Sequence, residues 1–294
     1  MVIVWGELLW DRFPDGAQLG GAPANVAWHL AGLGTPVALV TRVGDDVDGA
    51  HGVARLAAQG VDVGLVQRDP DRATGEVTVE LVAGEPRYQL CPGRAWEAIE
   101  LTDAAAAALP RADALVYGTL AQRTPAGLAA LTAALAAAPP TVLRVCDPNL
   151  RGAAASRDDD RALAAALAAA DVVKLGDREV AAVAARLGWP DPVAHLRARG
   201  ARLVIVTHGA GGSTWHDASG ARVVAAVPAR PGGDNVGCGD AFVAAVVHGL
   251  VAGWRLPRVA RLASAVAAEV AAARGATPTL DGPALIARTA PEPP

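Results

Sequence analysis

The chain has 294 residues, about twice the ~150 that serve as a prior for one domain, so one large α/β domain with an appendage and two domains both fit. Hydrophobic residues make up 52% and charged residues 19%, which excludes global disorder, and the formal net charge of −4 argues against a surface built to coat nucleic acid. Cys91, Cys146 and Cys238 are scattered and odd in number, which is neither a disulfide framework nor a zinc-type spacing and points to a reducing cytoplasm.

The opening MVIVWGELLWD carries no basic leader, and Glu7 interrupts its apolar run. No stretch approaches ~18 uninterrupted apolar residues, so neither a signal peptide nor a membrane span is expected. Strands are predicted at Val2–Trp5, Val37–Thr41, Ala114–Tyr117, Val142–Cys146, Val172–Leu175 and Leu203–Thr207. Their near-continuous apolar character suits a parallel sheet covered on both faces. Helices are expected at approximately 23–33, 46–59, 125–137, 159–169 and 178–187. Thr124-Pro125 and Asp191-Pro192 each place a capping side chain before a proline at the first helical position. This alternation means a doubly wound α/β architecture. Residues 74–90 break it: they alternate with period two around a Gly84-Glu85 turn and read as an exposed hairpin. That hairpin is either a lid over the sheet's C-terminal edge or a decorative edge element.

The segment Asp234-Asn235-Val236-Gly237-Cys238-Gly239-Asp240 precedes an apolar helical run, Val243–Val251. Gly237 and Gly239 let the backbone turn tightly, so several N–H groups converge on one spot beside a positive helix start. Asp240 there can take the proton of an attacking hydroxyl while the N–H groups hold a transferring phosphoryl. An ordinary loop with Asp as a helix cap is the alternative. A second cluster, Gly20-Gly21-Ala22-Pro23-Ala24-Asn25, opens a helix. Its glycines allow close approach of a ligand, and Asn25 offers donor and acceptors to a hydroxyl. Glu7 and Asp11, after the first strand, are carboxylates that can accept from sugar hydroxyls.

The two clusters in this order, GGAPANVAWHLAGLG and DNVGCGDAFVAAVVHGL, roughly 210 residues apart, resemble the two signatures of the ribokinase-like (phosphofructokinase-B type) carbohydrate kinases. The resemblance covers nearly the whole chain. Within that family the chain is most similar to the bacterial fructokinase branch, through GELLWD, GGAPAN, GTLAQR at 118–123 and DPNLR at 147–151. The resemblance implies a three-layer, doubly wound α/β fold with a mainly parallel sheet and a small β lid. It implies a single kinase domain over 1–294 with lid elements at approximately 8–19 and 74–98. The implied activity is ATP-dependent phosphorylation of a sugar hydroxyl with Mg²⁺, most similar to conversion of D-fructose to fructose 6-phosphate. By matching position Asp240 is the catalytic base, and the backbone of Gly237, Cys238 and Gly239 is the anion hole. Asp11, Gly20, Gly21 and Asn25 hold the sugar, and Thr207, Gly209 and Gly212 line the nucleotide. Asp234 and Val236 offer carbonyl oxygens to a monovalent cation, K⁺, with the GATPT stretch at 275–279 as the other half of that site.

Arg123 and Arg151 each follow a strand at the expected ligand edge, where a guanidinium neutralises phosphate charge or steadies the substrate. With 25 arginines and a single lysine, Lys174, in the chain, a solvated arginine is the alternative at both places. His29, His51, His208 and His248 show no metal spacing and read as surface or packed residues. The family's Asn-x-x-Glu after the Val172–Lys174 strand organises magnesium through water and phosphate. Here it is Gly176-Asp177-Arg178-Glu179. Glu179 remains for Mg²⁺, whereas Gly176 supplies no amide, so either magnesium is held more weakly or Asp177 compensates. Cys238 replaces the usual Ala between the signature glycines. A thiol at a helix start is expected to have a lowered pKa and to react in the phosphate site, unless it is a small buried, inert side chain. Kinases for another hexose, a sugar acid or a nucleoside, and a non-catalytic sugar or nucleotide sensor, remain as rivals. The hairpin's exposed edge suggests pairing with a second lid in a homodimer.

Overall fold

The computed structural model describes residues 1–14, 16–82, 85–150 and 157–290. The first half runs β1 (Val2–Trp5), β2 (Leu9–Phe13), β3 (Gly16–Gly20), α1 (Ala22–Gly32), β4 (Val37–Val40), β5 (Arg42–Gly44), α2 (Val47–Gln59), β6 (Gln67–Asp69), β7 (Gly75–Val82), β8 (Glu85–Leu90), α3 (Asp103–Ala108), β9 (Ala114–Tyr117), α4 (Pro125–Ala137) and β10 (Leu143–Cys146). The second half runs α5 (Arg157–Ala168), β11 (Val172–Gly176), α6 (Asp177–Leu187), α7 (Pro192–Ala198), β12 (Leu203–Thr207), β13 (Ser213–Asp217), β14 (Gly220–Val224), α8 (Cys238–Val251), α9 (Leu256–Ala271) and α10 (Gly282–Arg288). All six predicted strands are present. The turn residues 83–84 of the predicted hairpin lie outside the described residues.

The large sheet has the order β14-β13-β12-β11-β10-β9-β1-β4. It is parallel from β4 through β12, and β13 and β14 close one edge antiparallel. Every residue of β1 is buried, which is why it reads as uninterrupted apolar sequence. Its alternate side chains feed two cores. Val2 and Val4 pack with α1, α8 and α9; Ile3 and Trp5 pack with α4 and α5 on the opposite face. This is the three-layer, mainly parallel α/β fold expected from the sequence. Caps act where they were read: Thr124 accepts from Gly127 N–H to start α4, and Asp191 from Ala194 N–H to start α7.

Strand order reverses at β1, whose neighbours are β4 on one side and β9 on the other. A doubly wound sheet leaves a crevice above the strand C-termini at such a point. A smaller sheet, β3-β2-β7-β8, stands over it. Gly75 at the foot of β7 is obligatory, because a Cβ there would lie 2.5 Å from the Trp96 ring. On its outer side β2 is tied to α2: Trp10 Nε1 donates to the Asp48 carbonyl at 3.1 Å, and Arg12 pairs with Asp48. Among the described residues no helix is long and apolar enough to cross a membrane.

Candidate active site

A cavity of about 460 Å³ opens between the two sheets. From the residues singled out in the sequence it gathers Asp11 on β2, Gly21 and Asn25 at the start of α1, Arg123 after β9, and Val236 before α8. Glu7 lines it as well. Leu9, Val77 and Leu90 of the smaller sheet form an apolar wall. Gly20 is not part of the lining. It makes room for Asp11, whose Oδ2 would be 2.4 Å from a Cβ at that position. Gly21, at φ +98°, would drive a Cβ to 2.5 Å from the Glu7 carbonyl oxygen, so only glycine lets α1 start against the first strand's loop.

Asp240 lies in the first turn of α8 and is only 3% exposed. Asn25 Nδ2 donates to its Oδ2 at 2.8 Å, and Asn149 Nδ2 donates to its Oδ1 at 3.3 Å. Two predicted clusters 215 positions apart therefore meet at one carboxylate. Asn25 Oδ1 is buried and accepts no hydrogen bond. An acceptor left this way among the described residues costs about 1–3 kcal/mol. Gly237, at φ +76°, is the N-cap of α8. Asn149 (φ +46°) and Asn235 (φ +60°) are the two non-glycine residues with positive φ among those described. Both sit in the loops that converge on this carboxylate, where strained backbone clusters at functional sites.

Below the turn lies a buried charge network. Lys174 Nζ on β11 is 3.2 Å from both carboxylate oxygens of Asp147 and 3.6 Å from Glu179 Oε2. A Cβ on Gly239 would lie 3.3 Å from that nitrogen, so a fixed positive charge sits under the turn that opens α8. Burial opposes the Lys174 charge, but Asp147, Glu179 and Asp240 together outweigh it and push its pKa up. Burial pushes Asp147 up as well, and the carboxylates of Glu179 and Asp240 add to this against the pull of Lys174. Glu179 accepts from Leu150 N–H at 2.7 Å and from Gly176 N–H at 2.6 Å. It thus caps α6 and secures the loop after β10. Asp177 is engaged elsewhere, 2.5 Å from His208 Nδ1.

Thr207 ends β12 in register with Gly176; Gly209 and Gly212 follow it, both at positive φ. A Cβ on Gly212 would lie 2.1 Å from the Val224 carbonyl oxygen. Arg123 pairs with Asp159 at 3.9 Å. Arg151 lies outside the described residues. Asp234 joins the two halves of the expected cation site: its Oδ1 accepts from Val236 N–H at 3.1 Å and its Oδ2 from Gly275 N–H at 2.9 Å. The expectation for Cys238 needs correction. Burial, and then the charges of Asp234 and Asp240, push its thiol up to about 11 against a backbone hydrogen bond that lowers it, the opposite direction to the lowered pKa expected.

Asn149, Asp147 and Lys174 were not nominated from the sequence. DPNLR had been noted only as a resemblance, and nothing local shows that Asn149 reaches Asp240. Lys174 did leave a signal: one lysine against 25 arginines, inside a strand that reads as buried.

Asp240 does not itself line the cavity; its partners Asn25 and Asn149 do, and a carboxylate at a glycine-rich helix start beside a cavity lined by polar groups above a parallel sheet is the layout of a phosphoryl-transfer enzyme acting on a polyhydroxylated substrate. The sequence profile described as pfkB family carbohydrate kinase matches residues 16–282. A fructokinase of Klebsiella pneumoniae is 32% identical over 275 residues, covering 85% of this chain and 84% of that protein. The crystal structure of a fructokinase from Xylella fastidiosa with bound ATP superposes with a TM-score of 0.87 at 23% identity, covering 98% of both chains. That of a Vibrio cholerae O395 fructokinase with fructose, ADP and calcium gives 0.82 at 25% identity, covering 97% of both. The chain belongs to the pfkB family of carbohydrate kinases, and it is an ATP-dependent sugar kinase with a ribokinase-like fold.

Proposed function

We propose that the sugar is D-fructose, phosphorylated at its primary hydroxyl to fructose 6-phosphate. The observation that carries this reading is Asn25, which lines the cavity while its Nδ2 holds Asp240. The fructokinases from Klebsiella and Vibrio support the choice of sugar. Asp11 and Glu7 accept from further hydroxyls, and Arg123 steadies the substrate from the opposite wall. Asp240 takes the proton of the primary hydroxyl as its oxygen bonds to the γ-phosphorus, and the bond to the ADP oxygen breaks. The N–H groups of Gly237, Cys238 and Gly239, with the Lys174 charge behind them, hold the phosphoryl oxygens. Thr207, Gly209 and Gly212 line the nucleotide.

Mg²⁺ neutralises phosphate charge when bound with the nucleotide. In sites of this kind Mg²⁺ keeps several waters and binds largely through the substrate's phosphates. Glu179 is the carboxylate placed to meet it through water. The carbonyls of Asp234 and Val236 with segment 275–279 are the place for K⁺. The smaller sheet acts as a lid that excludes water, which would otherwise consume ATP. The outward edge of β3, exposed at Gly16, Ala17 and Gln18, is where a second lid pairs in a homodimer, which light scattering tests directly. Three cysteines without a disulfide suit a cytoplasmic setting.

Magnesium-dependent ADP release across a sugar panel tests the substrate, with the product's phosphate position read by NMR. Fructose should give the highest kcat/KM. A clear preference for ribose, a nucleoside or a sugar acid would overturn the fructose reading and leave the kinase standing.

A further inference from the structure

Helix α1 is an apolar, buried helix with two polar rings set side by side in it. Pro23, Ala24, Val26, Ala27 and Leu30 are buried around them; Trp28 is 8% and His29 2% exposed. Burying an N–H without a partner costs free energy, and both rings find one in the same stretch of chain. Trp28 Nε1 donates to the Pro278 carbonyl at 3.1 Å, and His29 Nε2 lies 2.8 Å from the Ala276 carbonyl. A carbonyl only accepts, so His29 carries its proton on Nε2.

The stretch they hold supports the phosphoryl site. A Cβ on Gly237 would lie 2.6 Å from Ala276 Cα and 2.8 Å from the Ala276 carbonyl oxygen, the same oxygen that His29 holds. The turn that opens α8 therefore rests directly on the clamped backbone. Asn25, at i−3 and i−4 from the two rings, shares their helix face and reaches Asp240. One face of α1 thus touches both the base and the support of the turn beside it.

We propose that Trp28 and His29 are positioning residues for phosphoryl transfer, their N–H groups fixing the 276–278 backbone and through it the height of Gly237 and the N–H groups that follow. The proposal rests on the reading of Gly237–Asp240 as the phosphoryl site. Displacements well under 1 Å matter in such a site, and a misplacement of about 1 Å can cost ~10²-fold.

The test compares Trp28→Phe, His29→Leu and His29→Gln with the parent, with Asp240→Asn as control. His29→Leu should lower kcat by about tenfold or more, with both KM values changed less than ~3-fold. Affinity for ADP with aluminium fluoride and fructose, which mimics the transferring phosphoryl, should fall by the same factor as kcat, while affinity for ADP alone holds. His29→Gln, which restores an N–H at similar reach, should recover most of the loss. Trp28→Phe removes one N–H together with part of the ring and should show the same split more weakly; it decides the matter if His29→Leu does not fold. Parent-like kcat in both His29→Leu and Trp28→Phe, beside an inactive Asp240→Asn, overturns the positioning role alone. So does an equal loss of ADP and ADP–fluoride affinity, or a Gln variant no better than Leu. An active Asp240→Asn overturns the underlying site reading and the proposal with it.

Discussion

Asn25 Nδ2 stands 2.8 Å from Oδ2 of Asp240, although 215 positions separate the two residues. The contact makes the geometry of the proposed base depend on the helix whose start also lines the cavity. Asn25→Asp would set a second carboxylate at hydrogen-bond distance, and like charges raise the pKa of one member of such a pair. A raised pKa keeps the base protonated to higher pH. The acid limb of the kcat/KM profile should therefore move upward in pH; an unmoved limb would show that Asp240 does not set it.

Asp240→Asn retains the size and helix start but removes the proton acceptor. General-base catalysis is worth about 10²–10⁴-fold, so kcat should fall by at least that much, with ADP affinity measured by calorimetry unchanged. Near-parent kcat, with chemistry shown to be rate-limiting, would exclude the base role.

Lys174 offsets Asp147 and Glu179 in a largely buried site. Lys174→Met leaves both carboxylates uncompensated and should cost about 3–5 kcal/mol of stability in urea unfolding. Removing one of them together with the lysine, in Lys174→Met/Asp147→Leu, should return a large part of that loss. A double variant less stable than the single one would contradict the account of the network.

Cys238, with its thiol pushed up to about 11, should resist alkylation at neutral pH, and Cys238→Ala should be as active as the parent. Iodoacetamide should label it appreciably only as the pH rises above about 9. Fast, ATP-protected labelling at pH 7 would restore the activated thiolate that the sequence suggested.

His29 links stability to pH. Its pKa falls from 6.5 to about 4 on folding, so between these values the unfolded chain binds a proton that the folded chain does not. Stability contributed by the neutral ring is full above pH 6.5 and declines as pH falls toward 4. The loss amounts to about 3 kcal/mol. Other groups titrate in the same window, so the measurement is the difference between the parent and His29→Gln. The parent should lose more between pH 6.5 and 4, and parallel profiles would refute the assignment.

The features legible in the sequence are those whose causes are local. β1 and β9 are buried on both faces and read as apolar runs; Thr124 and Asp191 stand before prolines and cap the helices they announce. The antiparallel pair β13–β14 escaped notice because STWHD and GARVV have mixed polarity on an exposed sheet edge. Asp240 was legible through its glycines, whereas Asn149 was not, since its reach depends on how a loop after β10 passes a helix 91 positions away. Cys238 was misjudged for a related reason. The helix start is visible in sequence, but the depth of the thiol and the nearness of two carboxylates belong to the folded chain.

Because the chain's one lysine is buried beneath Gly239 at 8% exposure, the permanent cations among its exposed side chains are all guanidinium groups. Acetylation, carbamylation and amine-directed cross-linking therefore find no exposed lysine ε-amine on the native protein. Beyond the Met1 α-amine, which pairs with Asp113 at the surface, such chemistry, or a signal written in acyl-lysine, first requires the fold to open. Acylation of Lys174 is thus a direct marker of unfolding, measurable by mass at a single residue.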